Sequence, residues 1–122
     1  GVQTCALAIY IALNWDGSLE QKKKFHKDAK SWLKKVASEM GLKSTDYDIR
    51  SNMAGSAVLG DVVLHTDFLY VHLGGSCFSH CFMYRSCNGR KDYTGGRNRW
   101  VPYEQINNIE ELVNVFQNIS PN

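Results

Sequence analysis

Apolar residues change their spacing twice along the chain, and each change marks a change of element. Leu19, Phe25, Ala29, Trp32, Leu33, Val36 and Met40 recur mainly at intervals of three and four. That period lines one stripe of an α-helix. Ser18 and Gln21 fit a capping box at its start and Gly41 fits a left-handed stop, which predicts a helix from about Leu19 to Met40. Downstream the period falls to two. Asp46 to Ser51 reads as a short edge strand and Asn52 to Ser56 as a small-residue connection. Val58 to Thr66 and Phe68 to Leu73 read as a hairpin turning near Thr66-Asp67. In the second arm Phe68, Tyr70 and His72 share one side and Leu69, Val71 and Leu73 the other.

Gly74-Gly75-Ser76 ends that alternation, and Cys81 to Cys87 resumes it. One face of this strand is Cys81, Met83, Arg85 and Cys87, and the other is Phe82, Tyr84 and Ser86. A loop from Asn88 to about Pro102 leads into a closing helix whose buried stripe is Ile106, Ile109, Leu112, Val113 and Phe116. Ahead of the long helix, the apolar run Ala6 to Leu13 is read as a strand buried on both faces. This order predicts an α+β domain: a mostly antiparallel sheet of about five strands, with the long N-terminal helix and the C-terminal helix packed on one face. The other face could then stay open, and Tyr70, His72, Phe82, Tyr84 and Arg85 are the side chains most able to line it, strand pairing deciding which do; the preferred reading of the aromatics is that they are core, which any sheet packing demands.

A chain of 122 residues is enough for one domain with its own core. Apolar content of 43% contains no run approaching the roughly 18 residues of a membrane span. Ala6 to Leu13 lacks the basic flank of a secretory leader, so no membrane partner is expected and the cytoplasm of a bacterial host is the expected compartment. The net charge of +2 argues for no partner by itself, but its placement is uneven. Residues 19–40 carry Lys22, Lys23, Lys24, Lys27, Lys30, Lys34 and Lys35 against Glu20, Asp28 and Glu39, and residues 85–100 carry Arg85, Arg90, Lys91, Arg97 and Arg99 against Asp92. Acids gather elsewhere, at Asp46, Asp48, Asp61, Asp67, Glu104, Glu110 and Glu111.

The second basic segment carries the candidate chemistry. Between Asn88 and Trp100, glycines leave backbone N–H groups accessible, guanidinium forks match phosphate oxygens, and two aromatic rings offer flat faces to a base. Arg90, Lys91, Tyr93, Arg97, Arg99 and Trp100 are the predicted ligand-binding residues, with Arg85, Lys23, Lys27, Lys30, His72 and Tyr70 as accessory ones. A plainer reading makes Gly95-Gly96 a turn, pairs Arg97 and Arg99 with Glu104, Glu110 or Glu111, and leaves the helix lysines merely solvated.

Cys77, His80, Cys81 and Cys87, with His72 upstream, form a cluster of possible metal ligands. Cys77 and Cys81 are separated by three residues rather than the two that aim both sulfurs at one zinc ion, so no metal or other cofactor is expected and Cys81 and Cys87 are read as free thiols. A nucleophilic Cys77 or Cys81 activated by His72 or His80, and oriented by Asp67 or Asn88, would need a geometry that sequence proximity does not supply. Neither a phosphate-binding Gly-x4-Gly-Lys-Ser/Thr, a His-Glu-x-x-His nor a nucleophile elbow occurs.

Residues 1–9 read Gly-Val-Gln-Thr-Cys-Ala-Leu-Ala-Ile, which resembles the translation of a common short-read sequencing adapter, Gly-Val-Gln-Thr-Cys-Ala-Leu-Pro-Ile, and departs from it only at Ala8. The resemblance implies a metagenomic chain, the alternative being a tag-cleaved natural protein whose first strand happens to read this way, and in either case function is not argued from residues 1–9. Three classes of function follow. The first is a protein that binds nucleic acid or a nucleotide through the Arg/Lys/Gly-rich loop. The second is a small inhibitor or adaptor that docks on a protein or nucleoprotein, such as a phage antagonist of a host defence complex. A cysteine-dependent or metal enzyme comes last.

Overall fold

The predicted stripe becomes helix α1, Leu19–Glu39. Gln21 N–H donates to Ser18 Oγ at 3.1 Å, and Gly41 takes a left-handed φ of +80° just beyond the C-cap Met40. Phe25, Ala29, Trp32, Leu33, Val36 and Met40 are buried as the spacing requires, Leu19 in the first turn is exposed instead, and Lys22, His26 and Asp28 are buried beside the stripe. Residues 10–74, 81–92 and 95–119 are described in this computed structural model, so the adapter-like segment, Cys77, His80 and Tyr93 lie outside the described residues.

Five strands follow in a meander: β1 Tyr47–Asn52, β2 Asp61–Thr66, β3 Leu69–Gly74, β4 Cys81–Ser86 and β5 Arg99–Pro102. Their order in the sheet is their order in the chain, and every pairing is antiparallel. Helix α2, Ile109–Gln117, closes the fold. The architecture is thus α+β, with a long N-terminal helix, a C-terminal helix and an antiparallel sheet.

Register decides which side chains meet the helices. Ile49, Leu64, Val71, Tyr84 and Arg99 are cross-strand neighbours in one row, and Ser51, Val62 and Leu73 form the next. Both helices pack on this side. The Trp32 ring stands edge-on to Phe82 at 5.7 Å and its Nε1–H donates to the Ile106 carbonyl at 3.0 Å, while Phe116 of α2 meets Tyr84 at 5.2 Å. Each fully buried Leu, Val or Phe here contributes about 1.5–3 kcal/mol by leaving water. Two polar groups are pinned into the same layer. His26 Nε2–H donates to the Leu59 carbonyl at 2.8 Å and its Nδ1 accepts from the Ser51 hydroxyl at 2.6 Å, which ties α1 to β1. The buried Lys22 donates to the Gly55 carbonyl at 2.8 Å. At the far end of β3, Tyr103 Oη accepts from Gly74 N–H at 2.9 Å and donates to its carbonyl at 3.0 Å.

Several expectations are corrected. The run Ala6 to Leu13 is not a strand where it is described: residues 10–14 are helical, with Ile11 buried and Asn14 Nδ2 donating to the Tyr10 carbonyl. A short apolar run has no periodicity by which strand and helix can be told apart. The fifth strand is instead β5, which lies inside the segment read as a loop. Pro102 is tolerated there because β5 is the last strand in the sheet order, where a missing N–H breaks no ladder. The first hairpin arm starts at Asp61 rather than Val58, because Gly60 turns the chain at φ +82°. Phe82 and Tyr84 belong to the helix-covered face, as the core reading has it. Among the described residues no helix is long and apolar enough to cross a membrane.

Candidate ligand-binding face

The face of the sheet opposite the helices is built by the alternate residues of each strand. One row runs Arg50, Val63, His72, Met83, Trp100, and the row beside it runs Asp48, His65, Tyr70, Arg85. The first row has an exposed guanidinium at the β1 edge and, at the β5 edge, an indole that is 40% exposed. His72 Nε2–H donates to Asp61 Oδ2 at 3.0 Å. The Arg85 guanidinium lies 4.7 Å from the centre of the Tyr70 ring and donates to the Gly95 carbonyl at 3.3 Å.

His65 is the pivot of the second row and is only 1% exposed. Its Nδ1 accepts from the Lys91 backbone N–H at 3.2 Å and faces an Arg50 nitrogen at 3.4 Å, while the Tyr70 ring stands edge-on at 5.2 Å. Two donors converging on Nδ1 require that nitrogen to be unprotonated, which puts the ring proton on Nε2. Burial is the main cause holding the imidazole below its ordinary pKa; the Arg50 and Arg85 charges push the same way, and the Asp92 and Gly89 carbonyls oppose them.

The loop after β4 folds back over this end of the sheet. Asn88 N–H donates to Asp92 Oδ2 at 3.0 Å and Asp92 N–H to the Gly89 carbonyl at 3.2 Å, closing a tight turn in which Lys91 takes a left-handed φ of +67°. Arg90 holds the turn down: its Nε lies 3.3 Å from Asp67 Oδ1, another nitrogen lies 3.9 Å from Asp48 Oδ1, and a third donates to the Thr45 carbonyl. Gly95 and Gly96 serve close packing. A Cβ on Gly96, at φ +74°, would sit 2.3 Å from Ser86 Oγ, and one on Gly95 would sit 3.1 Å from Cys87 Cα. Cys87 donates through Sγ to the Thr66 carbonyl at 3.3 Å, and burial pushes its thiol pKa up, which makes it a poor nucleophile.

The predicted ligand residues therefore separate. Arg90 is engaged as a structural clamp and Arg85 is stacked on Tyr70. Lys91 and Arg97 are exposed, and Arg97 makes no ion pair among the described residues. Arg99 and Trp100 are strand neighbours, so they point to opposite faces, Arg99 into the row of Tyr84 and Trp100 into the row of Met83. Lys23, Lys27 and Lys30 are exposed on α1, on the side of the molecule away from Tyr70, His72, Arg85 and Trp100. One lysine of that first basic zone does meet the second: Lys34 and Lys91 line the same groove beside β1, together with Arg50. Arg50, His65 and Met83 are members of this face that composition and motif did not single out. The alternation of Asp48, Arg50 and Asn52 against Tyr47, Ile49 and Ser51 is the signal that could have exposed Arg50.

Among the described residues no group of three His, Cys, Asp or Glu side chains could hold a metal ion. Cys81 is half-buried and shares this face, whereas His72 is turned to Asp61. No protein-family model, curated protein or solved structure matches the chain.

Proposed function

We propose that the protein binds a phosphate-bearing ligand, a nucleic acid or a nucleotide, on the face of its sheet opposite the two helices. The observation that carries this reading is the exposed Trp100 on that face, with the Tyr70, His72 and Arg85 side chains behind it and the exposed Arg97 in the segment that leads into β5. An indole presents a π-face to any base and a guanidinium pairs with phosphate oxygens, and here the two stand three residues apart where the chain enters β5. Lys91 adds a second exposed cation. In this reading Arg90 and the glycines shape the loop rather than touch the ligand, and Arg99 contributes from the other side of the β5 edge.

The test is a titration of labelled thymidine oligonucleotides, duplexes and nucleotides against the parent protein and against Arg97→Ala and Trp100→Ala. Loss of a charge-assisted contact at Arg97 should cost about 1.5–3 kcal/mol of binding, and loss of the stacking surface at Trp100 about 1–3 kcal/mol. Affinity should fall steeply as salt rises. Absence of binding at low salt would reject the reading. Capture by a protein partner with little salt dependence and strong sensitivity to Trp100→Ala would put the docking class in its place.

A further inference from the structure

The groove beside β1 bears on what kind of phosphate ligand this face takes. It encloses about 530 Å³ and is bordered by Lys34 of α1, Ser44 before β1, Arg50 of β1 and Lys91 of the loop. These side chains come from four separate segments and all four residues are exposed. Its one acidic border is Asp48, whose carboxylate is already turned to the Arg90 guanidinium at 3.9 Å. The groove is therefore cationic, and a hydroxyl is available beside the charges. Lys91 owes its place to the left-handed turn that aims its N–H at His65, since that turn leaves the side chain at the groove.

We infer that this groove is a second phosphate subsite and that the ligand is a single strand long enough to run from it, across the sheet, to Trp100. The inference rests on the reading of Trp100 and Arg97 above. Groove and indole stand at opposite edges of the sheet, β1 and β5. Four interstrand steps of about 4.8 Å separate them, or about 19 Å. A mononucleotide cannot touch both. Stacked nucleotides advance about 3.4 Å each, so roughly six cover the distance if stacked and fewer if extended. Between the two ends the strand would cross the row of Val63, His72 and Met83, in which Val63 is buried and His72 and Met83 are half-buried. Within a duplex the base faces are stacked on one another, so only a terminal pair could reach Trp100, and it could not extend across the sheet to the groove while doing so.

The experiment is a length series. Fluorescent thymidine di-, tetra-, octa- and dodecanucleotides, thymidine monophosphate and a blunt duplex are titrated at low and moderate salt against parent, Lys34→Gln/Lys91→Gln and Trp100→Ala, with thermal melts confirming that the variants fold. Affinity should rise at least about tenfold between the dinucleotide and the octanucleotide. For the longer strands each variant should weaken binding about tenfold, and the double lysine variant should shallow the salt dependence by about 1.4 in logarithmic slope. For the dinucleotide only Trp100→Ala should matter. If the dodecanucleotide binds no tighter than the dinucleotide, or the lysine variant leaves long strands unaffected while Trp100→Ala still weakens them, the second subsite is refuted and the Trp100 reading stands. A duplex that binds as tightly as the strand refutes the single-strand assignment. If nothing binds at any length, both fall together.

Discussion

One sheet has two faces here, and they are held by different forces. On the helix side Val62, Leu64, Val71, Leu73 and Phe82 are closed off by α1 and α2, and what holds them is removal of apolar surface from water. On the other side the closure at His65 is made by a turn of the loop, through one backbone N–H, one Arg90 clamp and one stacked guanidinium. Burial of apolar area is non-directional and indifferent to protons. A neutral imidazole beside Arg50 and Arg85 is directional and depends on pH. The helix face should therefore set global stability, while the loop end of the opposite face should open first and respond to conditions.

The strongest way to break this comparison is Trp32→Ala, which leaves a cavity against Phe82 and strips the Ile106 carbonyl of its donor. It should cost about 3–5 kcal/mol in a denaturant melt. Gly96→Ala comes next, since the added Cβ must displace Ser86 at a positive φ; about 2 kcal/mol is expected. Were it to match Trp32→Ala, the loop would be as integral as the core.

Acid acts on both faces, since His26 lies in the helix-side layer and His65 on the other. His26 and His65 are both held below the ordinary histidine pKa, chiefly by burial. Their contribution is complete above the unfolded value of about 6.5 and is lost as pH falls from there through the folded values, because the unfolded chain takes up the protons first. Melts from neutral pH downward should show falling stability, and His65→Gln should flatten part of that fall. The Lys91 amide resonance should follow the His65 titration while Val71 and Phe82 amides do not. A Lys91 amide that ignores the titration would mean that His65 does not anchor the turn.

Smaller still, Arg90→Ala should cost about 1 kcal/mol, because its ion pairs with Asp67 and Asp48 are partly exposed and screened. Lys23→Ala, on the outer side of α1, should cost under about 0.5 kcal/mol.

Helix α1 was legible in the sequence because its period, its Ser18 cap and its Gly41 stop agree. The β2–β3 hairpin was legible because Thr66 Oγ1 receives both the Phe68 and Leu69 N–H groups, a local bond that local sequence can announce. Within a strand, alternation separated Tyr70 and His72 from Leu69 and Val71 correctly. Between strands it left Phe82 and Tyr84 undecided between core and open face, since which parity faces outward is set by register through the intervening connection. Strand β5 was hidden because four residues flanked by glycine, arginine and proline carry too little alternation to outweigh a loop composition. The fates of Arg90 and Lys91 were not legible at all. They are adjacent cations, and only the left-handed backbone at Lys91 sends one into a clamp and the other to a groove.

The meander order of the sheet has a kinetic consequence. Each strand pairs with its neighbour in sequence, so the sheet can assemble by closing short loops. The helix side closes over long ones: Trp32 reaches Ile106 across 74 residues, and Gln117 reaches the Met40 carbonyl across 77. Each doubling of loop length adds about 0.6 kcal/mol to the entropic cost of closure, which favours strand pairing ahead of helix docking on the folding path. Trp32→Ala should then leave the folding rate nearly unchanged and appear almost wholly as faster unfolding.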